Sequence, residues 1–363
     1  MVLHRAFYKA LDLLQLSDGK NKTVINRDDQ AGYRLDTTYT HKGRGVLSKD
    51  AEVTTRVDYV NGYSSVLQTS SYHIMETKTM PQACVGVVKA SFVYPKNPSQ
   101  HASDLRMLEK HLEFAEQLDN KEFDCIRVDG GNENPRSYEP QFLWTERHVT
   151  KGKLCTEVST RHSGGSYLNR VELQNGCQAF AHSQIFIPST LNGSNYNANG
   201  LDKVKLEQNL EAATDYYIDR VDGATCGDSH TRLLKGSRDE YASHLQERRD
   251  DLLIFLSGSK KAKEELKTRN STRFNYLTEI WNVRANHMVK TVGDKYLFLL
   301  VPCYKADCCA DRKNTLRSPF GVTMECQSAC YPFQYQTQQG HGEENVISAL
   351  DFVLVTIFHL KTV

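Results

Sequence analysis

Three acidic positions in the first half of the chain could bring carboxylates together, and carboxylate oxygens are the ligands that hard cations such as Mg²⁺ take. Asp129 follows an apolar run, Phe123 to Val128, and stands directly before a Gly-Gly pair. Such a run is typical of a buried strand, so the Asp is expected at the exposed tip of that strand. Upstream, the short strand predicted from Thr23 to Arg27 also ends in carboxylates, those of Asp28 and Asp29.

The third acid is Glu172, in a stretch whose pattern predicts the start of a helix. Ser166 is a suitable N-cap residue, and Val171 begins the apolar face of that helix. A simpler interpretation stays open at each position. An Asp before Gly-Gly often only hydrogen-bonds its own backbone in a turn, and three acids can be unrelated surface residues.

Length and composition bound the class of protein. The chain has 363 residues, of which 39% are hydrophobic and 25% charged, so it can bury a core as one large or two ordinary domains. A net charge of +1 excludes a protein that is basic all over, so nucleic acid could be bound only by local patches.

Neither terminal stretch has the pattern of a membrane segment. Charged residues interrupt the apolar positions between Val2 and Leu16, which favours an amphipathic helix over a signal peptide. The apolar stretch from Val346 to Leu360 contains Asp351 and is too short to span a bilayer. We therefore expect an intracellular protein without membrane contact.

The ten cysteines are scattered and do not form the dense pattern of a small disulfide framework. Five of them crowd the C-terminal part, where two pairs approach the spacing of zinc ligands. No His follows at the usual short distance, so reduced cysteines are favoured over a zinc site. These five are Cys303, Cys308, Cys309, Cys326 and Cys330.

The hydrophobic periodicity predicts strands first and an alternation of helices and strands afterwards. Strands are expected at 53–59, 64–75 and 83–94, and a helix face runs from Leu105 to Leu118. The strand that ends at Asp129 follows, then a helix opened by Pro140, a strand to Thr160 and the helix of Glu172. This order indicates an α/β fold, a mixed sheet with helices on its faces.

These residues and their order resemble the catalytic core of DDE-type transposases and integrases, members of the ribonuclease H-like superfamily. Ile25 to Asp29 is similar to the first acidic motif, and Val128-Asp129-Gly130 is similar to the second. Asn169-Arg170-Val171-Glu172 resembles the Asn-x-x-Glu that often carries the third acid. The resemblance covers roughly residues 20 to 190. The segments Phe142 to His148 and Ser166 to Gly176 are also similar to transposon-derived animal proteins.

The resemblance implies a ribonuclease H-like mixed sheet and a metal-dependent cleavage and transfer of DNA strands. In that chemistry two Mg²⁺ or Mn²⁺ ions stabilise the attacking and leaving oxygens of an in-line displacement at phosphorus. Asp28 and Asp129 would bind the ions, one of them bridging, and Glu172 would complete the second site. Asp29 is the alternate first acid because the strand register cannot be fixed from sequence. Glu133 is interpreted as a solvated loop acid.

The chain is divided into an N-terminal helix (1–20), a ribonuclease H-like core (21–190), a mostly helical extension (191–316) and an atypical tail (317–363). Arg161 and Arg170 flank the Glu172 site and are candidate contacts for a phosphate backbone, with ordinary exposed arginines as the alternative. A basic stretch in the extension, from Lys260 to Arg273, is a candidate DNA surface, with a solvated helix face as the alternative. Its candidate contacts are Lys260, Lys261, Lys263 and Lys267.

Little chain precedes the first acid, whereas transposases usually bind their DNA ends through a separate module. Three outcomes therefore stay open: an active enzyme, a truncated or inactive relic, and a host-recruited core that binds nucleic acid or protein without catalysis. DNA is the expected partner and the nucleus the expected location. Self-association is left open.

Overall fold

The computed structural model describes residues 22–39, 53–54, 65–76, 81–94, 96–119, 121–131, 133–160, 169–236, 245–288 and 297–301. No helix in these stretches is both long and apolar enough to cross a membrane. Several positions singled out from the sequence lie outside the described residues. They are the helix of residues 1–20, Arg161, Ser166, the five C-terminal cysteines and the tail 317–363.

Thirteen strands lie in the described stretches. They are β1 (Lys22–Asp29), β2 (Tyr33–Arg34), β3 (Thr38–Tyr39), β4 (Val53–Thr54), β5 (Val66–Ile74), β6 (Ala83–Ala90), β7 (Phe123–Val128), β8 (Cys155–Thr160), β9 (Tyr196–Asn197), β10 (Gly200–Leu201), β11 (Thr225–Cys226), β12 (Ser229–Lys235) and β13 (Leu297–Leu300).

Eight helices accompany these strands in the same stretches. They are α1 (Pro98–Lys110), α2 (Ala115–Leu118), α3 (Tyr138–Thr150), α4 (Val171–Ala181), α5 (Lys203–Val221), α6 (Leu245–Ser257), α7 (Lys260–Arg269) and α8 (Ser271–His287).

The main sheet is mixed, and its strand order is β11-β12-β6-β5-β1-β7-β8-β13, with β2 paired to β5. β1, β5 and β6 form an antiparallel meander. On the other side of β1, β7 and β8 run parallel to it and to each other. The expected α/β fold with a mixed sheet is therefore confirmed, and β1 lies at the junction of its two halves.

Two hydrophobic layers hold helices against the two faces of this sheet. One contains Ile25, Ile126 and Val128 and packs against Leu105 of α1 and Trp144 of α3. The other joins β2, β5, β6 and β12 to the buried face of α5. Since side chains alternate along a strand, consecutive residues at the end of β1 point into different layers.

The C-terminal helices α6, α7 and α8 form a third cluster that packs on Phe142 of α3. The N-termini of α7 and α8 are set by side chains that accept backbone N–H groups. Ser259 caps α7 by accepting from Ala262, and Asn270 caps α8 by accepting from Arg273. The basic stretch therefore contains a helix boundary at Asn270.

The sheet extends beyond residue 190, into the range expected to be mostly helical. β12 pairs with β6, and β13 pairs with β8. The chain after residue 190 therefore adds strands on both sides of the five strands β6, β5, β1, β7 and β8. β12 was missed because it alternates exposed and buried positions, with polar residues such as Ser229 and His230 at its start. The strand expected at 53–59 is described only as Val53–Thr54, paired with β3.

Candidate active site

The ends of β1 and β7 carry the first two acids, and the strand register sets them side by side. Lys22 pairs with Phe123, and the pairing continues to Asn26 opposite Arg127. Two residues further in the same register, Asp28 lies beside Asp129 on strands about 4.8 Å apart. The edge of the sheet thus brings together two carboxylates that are a hundred residues apart in sequence.

Helix α4 brings Glu172 to the same edge because polar side chains fix this helix to the sheet. Asn169 Nδ2 donates to the carbonyl of Arg27 at 3.5 Å, and Gln30 Nε2 donates to the carbonyl of Asn175 at 3.1 Å. Gly86 of β6 permits the close approach of α4 to the sheet. A Cβ there would lie 2.6 Å from Leu233 Cδ2 and 3.1 Å from Gln178 Nε2 of α4.

The charges of both other acids act on the carboxyl of Asp28. Burial, which is the largest cause, and the charges of Glu172 and Asp129 together raise the pKa of its carboxyl to about 8. The backbone N–H of Asp29 opposes them by donating to Asp28 Oδ1 at 2.8 Å. A carboxyl in this position holds its proton at neutral pH unless a cation compensates the charge.

Asp29, the alternate first acid, lies on the opposite face of the sheet. Its carboxylate accepts from Ser70 Oγ at 2.7 Å and lies 3.4 Å from His101 Nε2 and 3.3 Å from Lys96 Nζ. Burial alone would raise the pKa of this carboxyl, but His101, Lys96 and Lys89 hold it well below its usual range. The charges of Asp129 and Glu172 therefore act on Asp28, whereas cations balance the carboxylate of Asp29.

The adjacent acids Asp28 and Asp29 are expected to respond in opposite ways to replacement by Asn. The folded protein holds a proton on Asp28 between about pH 4 and pH 8, so the stability that this group contributes falls as the pH rises through that range. Asp28→Asn removes this loss and should stabilise the metal-free protein at pH 8 by on the order of 2 kcal/mol.

Asp29→Asn should instead destabilise the protein at pH 8. Its depressed pKa means that the ionised form contributes stability above about pH 4, which is lost only as the pH falls through the folded-state pKa. Urea unfolding in EDTA at pH 5 and pH 8 measures both variants. A loss of stability at pH 8 in both would contradict the opposite environments described for the two carboxyls.

Glu133 is not the solvated loop acid expected from the sequence. Its carboxylate forms an ion pair with the buried guanidinium of Arg27, and its side chain is only 12% exposed. His101 Nε2 lies 4.0 Å from Glu133 Oε1. The interpretation failed because the sequence does not show that the loop after β7 folds back over the end of β1.

The donor types at this edge fit a hard divalent cation, since all three are carboxylates. Among the described residues, no group of three or more His, Cys, Asp or Glu side chains is arranged to hold a metal ion by itself. Mg²⁺ usually takes one or two carboxylates together with water and substrate phosphates. Asp28 and Asp129 could supply that part of its coordination.

A polar cleft lies beside the acids, between the start of α1 and the ends of β1 and β7. Besides the acids Asp28, Asp29, Asp129 and Glu133, it is lined by Lys96, Asn97 and His101. Sequence reasoning missed these three residues, because nothing in their spacing relates them to the strand ends. The one available signal was the N-cap pattern of Asn97 followed by Pro98, which places the start of α1.

Two of the six basic residues between positions 260 and 273 are committed to the protein itself. Arg269 and Arg273 both pair with the buried carboxylate of Asp251, the latter at 3.1 Å. Lys260 and Lys261 are exposed, and Lys261 Nζ lies 3.8 Å from Glu265 Oε1. Arg170 is exposed directly before α4.

The four lysines Lys260, Lys261, Lys263 and Lys267 are on α7, and Lys267 Nζ lies 6.0 Å from the ring centre of Phe274. The described cysteines all carry free thiols. They are Cys84, Cys125, Cys155, Cys177 and Cys226.

Comparison with known proteins gives no relative. No protein-family model matches the chain, and no curated protein or solved structure matches it either.

Proposed function

We propose that the protein is a ribonuclease H-like polynucleotidyl transferase or nuclease of the DDE type, acting on DNA. The observation that carries this proposal is the register that sets Asp28 beside Asp129, with Glu172 in the first turn of α4 near enough for its charge to act on Asp28. The strand order supports it. The antiparallel meander lies on one side of β1 and the parallel strands lie on the other, so β1 and β7 end side by side.

Asp28 and Asp129 would hold the metal ions of such an enzyme, one of them bridging, and Glu172 would complete the second site. Mg²⁺ or Mn²⁺ bound there would stabilise the attacking and leaving oxygens of a displacement at phosphorus. The chain's own contribution is to hold carboxylates that repel one another at a fixed place. The partial burial of Asp28 strengthens its interaction with a cation, because the local dielectric is lower than that of water.

DNA binding would come from local basic surfaces, since the chain as a whole is nearly neutral. The candidates are the lysines of α7 and Arg170, with Arg161 outside the described residues. A DNA substrate would place the protein in the nucleus.

Replacing Lys260, Lys261, Lys263 and Lys267 together by Gln should weaken binding to all DNA sequences. Each phosphate contact contributes about 0.9 to the slope of log affinity against log salt, so loss of the four contacts should flatten that slope by about 3.6 units. The measurement is a salt titration of binding to duplex DNA by fluorescence anisotropy. An unchanged slope would identify α7 as a solvated helix face and leave Arg161 and Arg170 as the candidate DNA contacts.

A second candidate function is a non-catalytic module, derived from such a core, that binds nucleic acid or protein. The observation that favours it is the lack, among the described residues, of a side-chain group arranged to hold a metal ion by itself. The two functions differ in one assay. The enzyme nicks or joins supercoiled DNA with Mg²⁺ or Mn²⁺ and stops in EDTA, whereas the binding module retains DNA or its partner without changing the DNA.

A further inference from the structure

The end of β1 is held from the face opposite the three acids. Arg27 and Asp29, the two neighbours of Asp28, both point away from Glu172 into the layer of α1 and α3. Each of them is anchored there by buried partners. Asp28 therefore lies between two residues that are fixed on the opposite face of the sheet.

The anchor of Arg27 is Glu133, four residues after Asp129. The guanidinium of Arg27 forms an ion pair with Glu133 and lies 5.6 Å from the ring centre of Trp144 in α3. This contact joins β1 to the loop that follows β7. The ion pair therefore constrains the end of β1 relative to the end of β7. It constrains Asp28 relative to Asp129 in the same way.

The anchor of Asp29 is a closed ring of six side chains, which we call the Asp29 ring. In its first half, Ser70 Oγ donates to Asp29 Oδ1 at 2.7 Å and accepts from Lys89 Nζ at 2.9 Å. Lys89 in turn forms an ion pair with Asp104 of α1. Asp104 and Lys89 are buried, so neither charge can be balanced by water instead.

The second half of the Asp29 ring returns from Asp104 to Asp29 through two aromatic side chains. The hydroxyl oxygen of Tyr72 lies 3.2 Å from Asp104 Oδ2 and 3.2 Å from His101 Nδ1, within hydrogen-bond distance of both. His101 Nε2 then lies 3.4 Å from Asp29 Oδ2. The ring thus connects β1, β5, β6 and α1.

We infer that the Asp29 ring is a positioning device for Asp28, which sets the carboxylate of that residue for divalent-cation binding. This inference rests on the proposed function. The connection to Asp28 is the backbone N–H of Asp29, which donates to Asp28 Oδ1 at 2.8 Å. Because Asp29 cannot shift without breaking the ring, this donor holds one orientation of the Asp28 carboxylate against the repulsion of Asp129 and Glu172.

Ser70→Ala and Tyr72→Phe test the inference, since each opens the ring and leaves the acids intact. Mg²⁺ demands near-ideal octahedral geometry, whereas Ca²⁺ accepts a flexible one. Loss of a partner that orients a ligand typically lowers metal affinity by about tenfold or more. We expect both variants to bind Mg²⁺ about tenfold more weakly in isothermal titration calorimetry, with a smaller change for Ca²⁺.

Tyr217→Phe is the matched control. The Tyr217 hydroxyl lies 2.9 Å from Nδ1 of buried His182, so the same kind of Tyr-His contact is removed on the other face of the sheet. Its Mg²⁺ affinity should stay at the wild-type value. Equal losses for Mg²⁺ and Ca²⁺, or an equal loss in the control, would show general loosening and overturn the positioning role.

Two further outcomes separate this inference from the function on which it rests. Wild-type Mg²⁺ affinity in Ser70→Ala and Tyr72→Phe, next to a wild-type protein that binds Mg²⁺, overturns the positioning role alone. A wild-type protein that binds no Mg²⁺ in calorimetry and cleaves no DNA overturns the proposed function and the positioning role together.

Discussion

Asp129→Asn is expected to lower metal-dependent DNA cleavage by about a thousandfold or more while leaving the fold unchanged. A bound divalent cation contributes several kcal/mol to stabilising the charge of the transition state, and each 1.4 kcal/mol is tenfold in rate. Asn keeps the shape of the side chain but loses the negative charge that a hard cation needs. The measurement is nicking of supercoiled DNA with Mg²⁺ and with Mn²⁺.

The position of Asp129 makes this variant informative. The residue is exposed, and its carboxylate accepts the N–H of Gly130 at 2.6 Å, a bond that an Asn oxygen can also accept. Unfolding should therefore not account for lost activity. Glu122→Gln is the matched control, because Glu122 is an exposed acid before the other end of β7. Full cleavage activity in Asp129→Asn would contradict the enzymatic proposal.

Asp124→Ala is expected to have the largest effect on stability, a loss of about 3–5 kcal/mol in the free energy of unfolding. Asp124 is fully buried in β7, where its carboxylate pairs with Arg147 Nε at 2.8 Å and Lys153 Nζ at 3.2 Å. Its removal takes a buried carboxylate away from both cations, while Arg147 keeps its ion pair with Glu109. Urea unfolding at pH 7 measures the loss.

Asp119→Ala is the control for the burial of this pair. Asp119 lies 3.1 Å from Lys151 Nζ, but its side chain is 35% exposed, so water competes for both charges. Such a surface pair contributes at most about 1 kcal/mol. If the two variants lost the same free energy, the buried charges around Asp124 would not be the cause.

The sequence by itself determined the elements on which the site is built. The apolar runs ending at Asp28 and Asp129 are the strands β1 and β7, and the helix expected to carry Glu172 is α4. These elements could be predicted because hydrophobic periodicity depends on which face of an element is buried. The mixed sheet followed from the order of strands and helices.

The edges of the sheet could not be predicted from the same signals. β12 has few apolar residues and begins with polar ones, and β13 is short and far from β8 in sequence. Their places depend on the free edges of β6 and β8, which exist only in the folded sheet.

Only the tertiary structure decided which charged side chains meet. The register of β1 against β5 and β7 turns Asp28 toward Glu172 and Asp29 toward His101, a difference that one residue of slip would reverse. Arg273 is removed from the candidate DNA surface for the same kind of reason. The packing of α6 against α8 brings its guanidinium into an ion pair with Asp251. Charge and residue type are properties of the sequence. The partner that balances each charge is set by contacts between segments far apart in the chain.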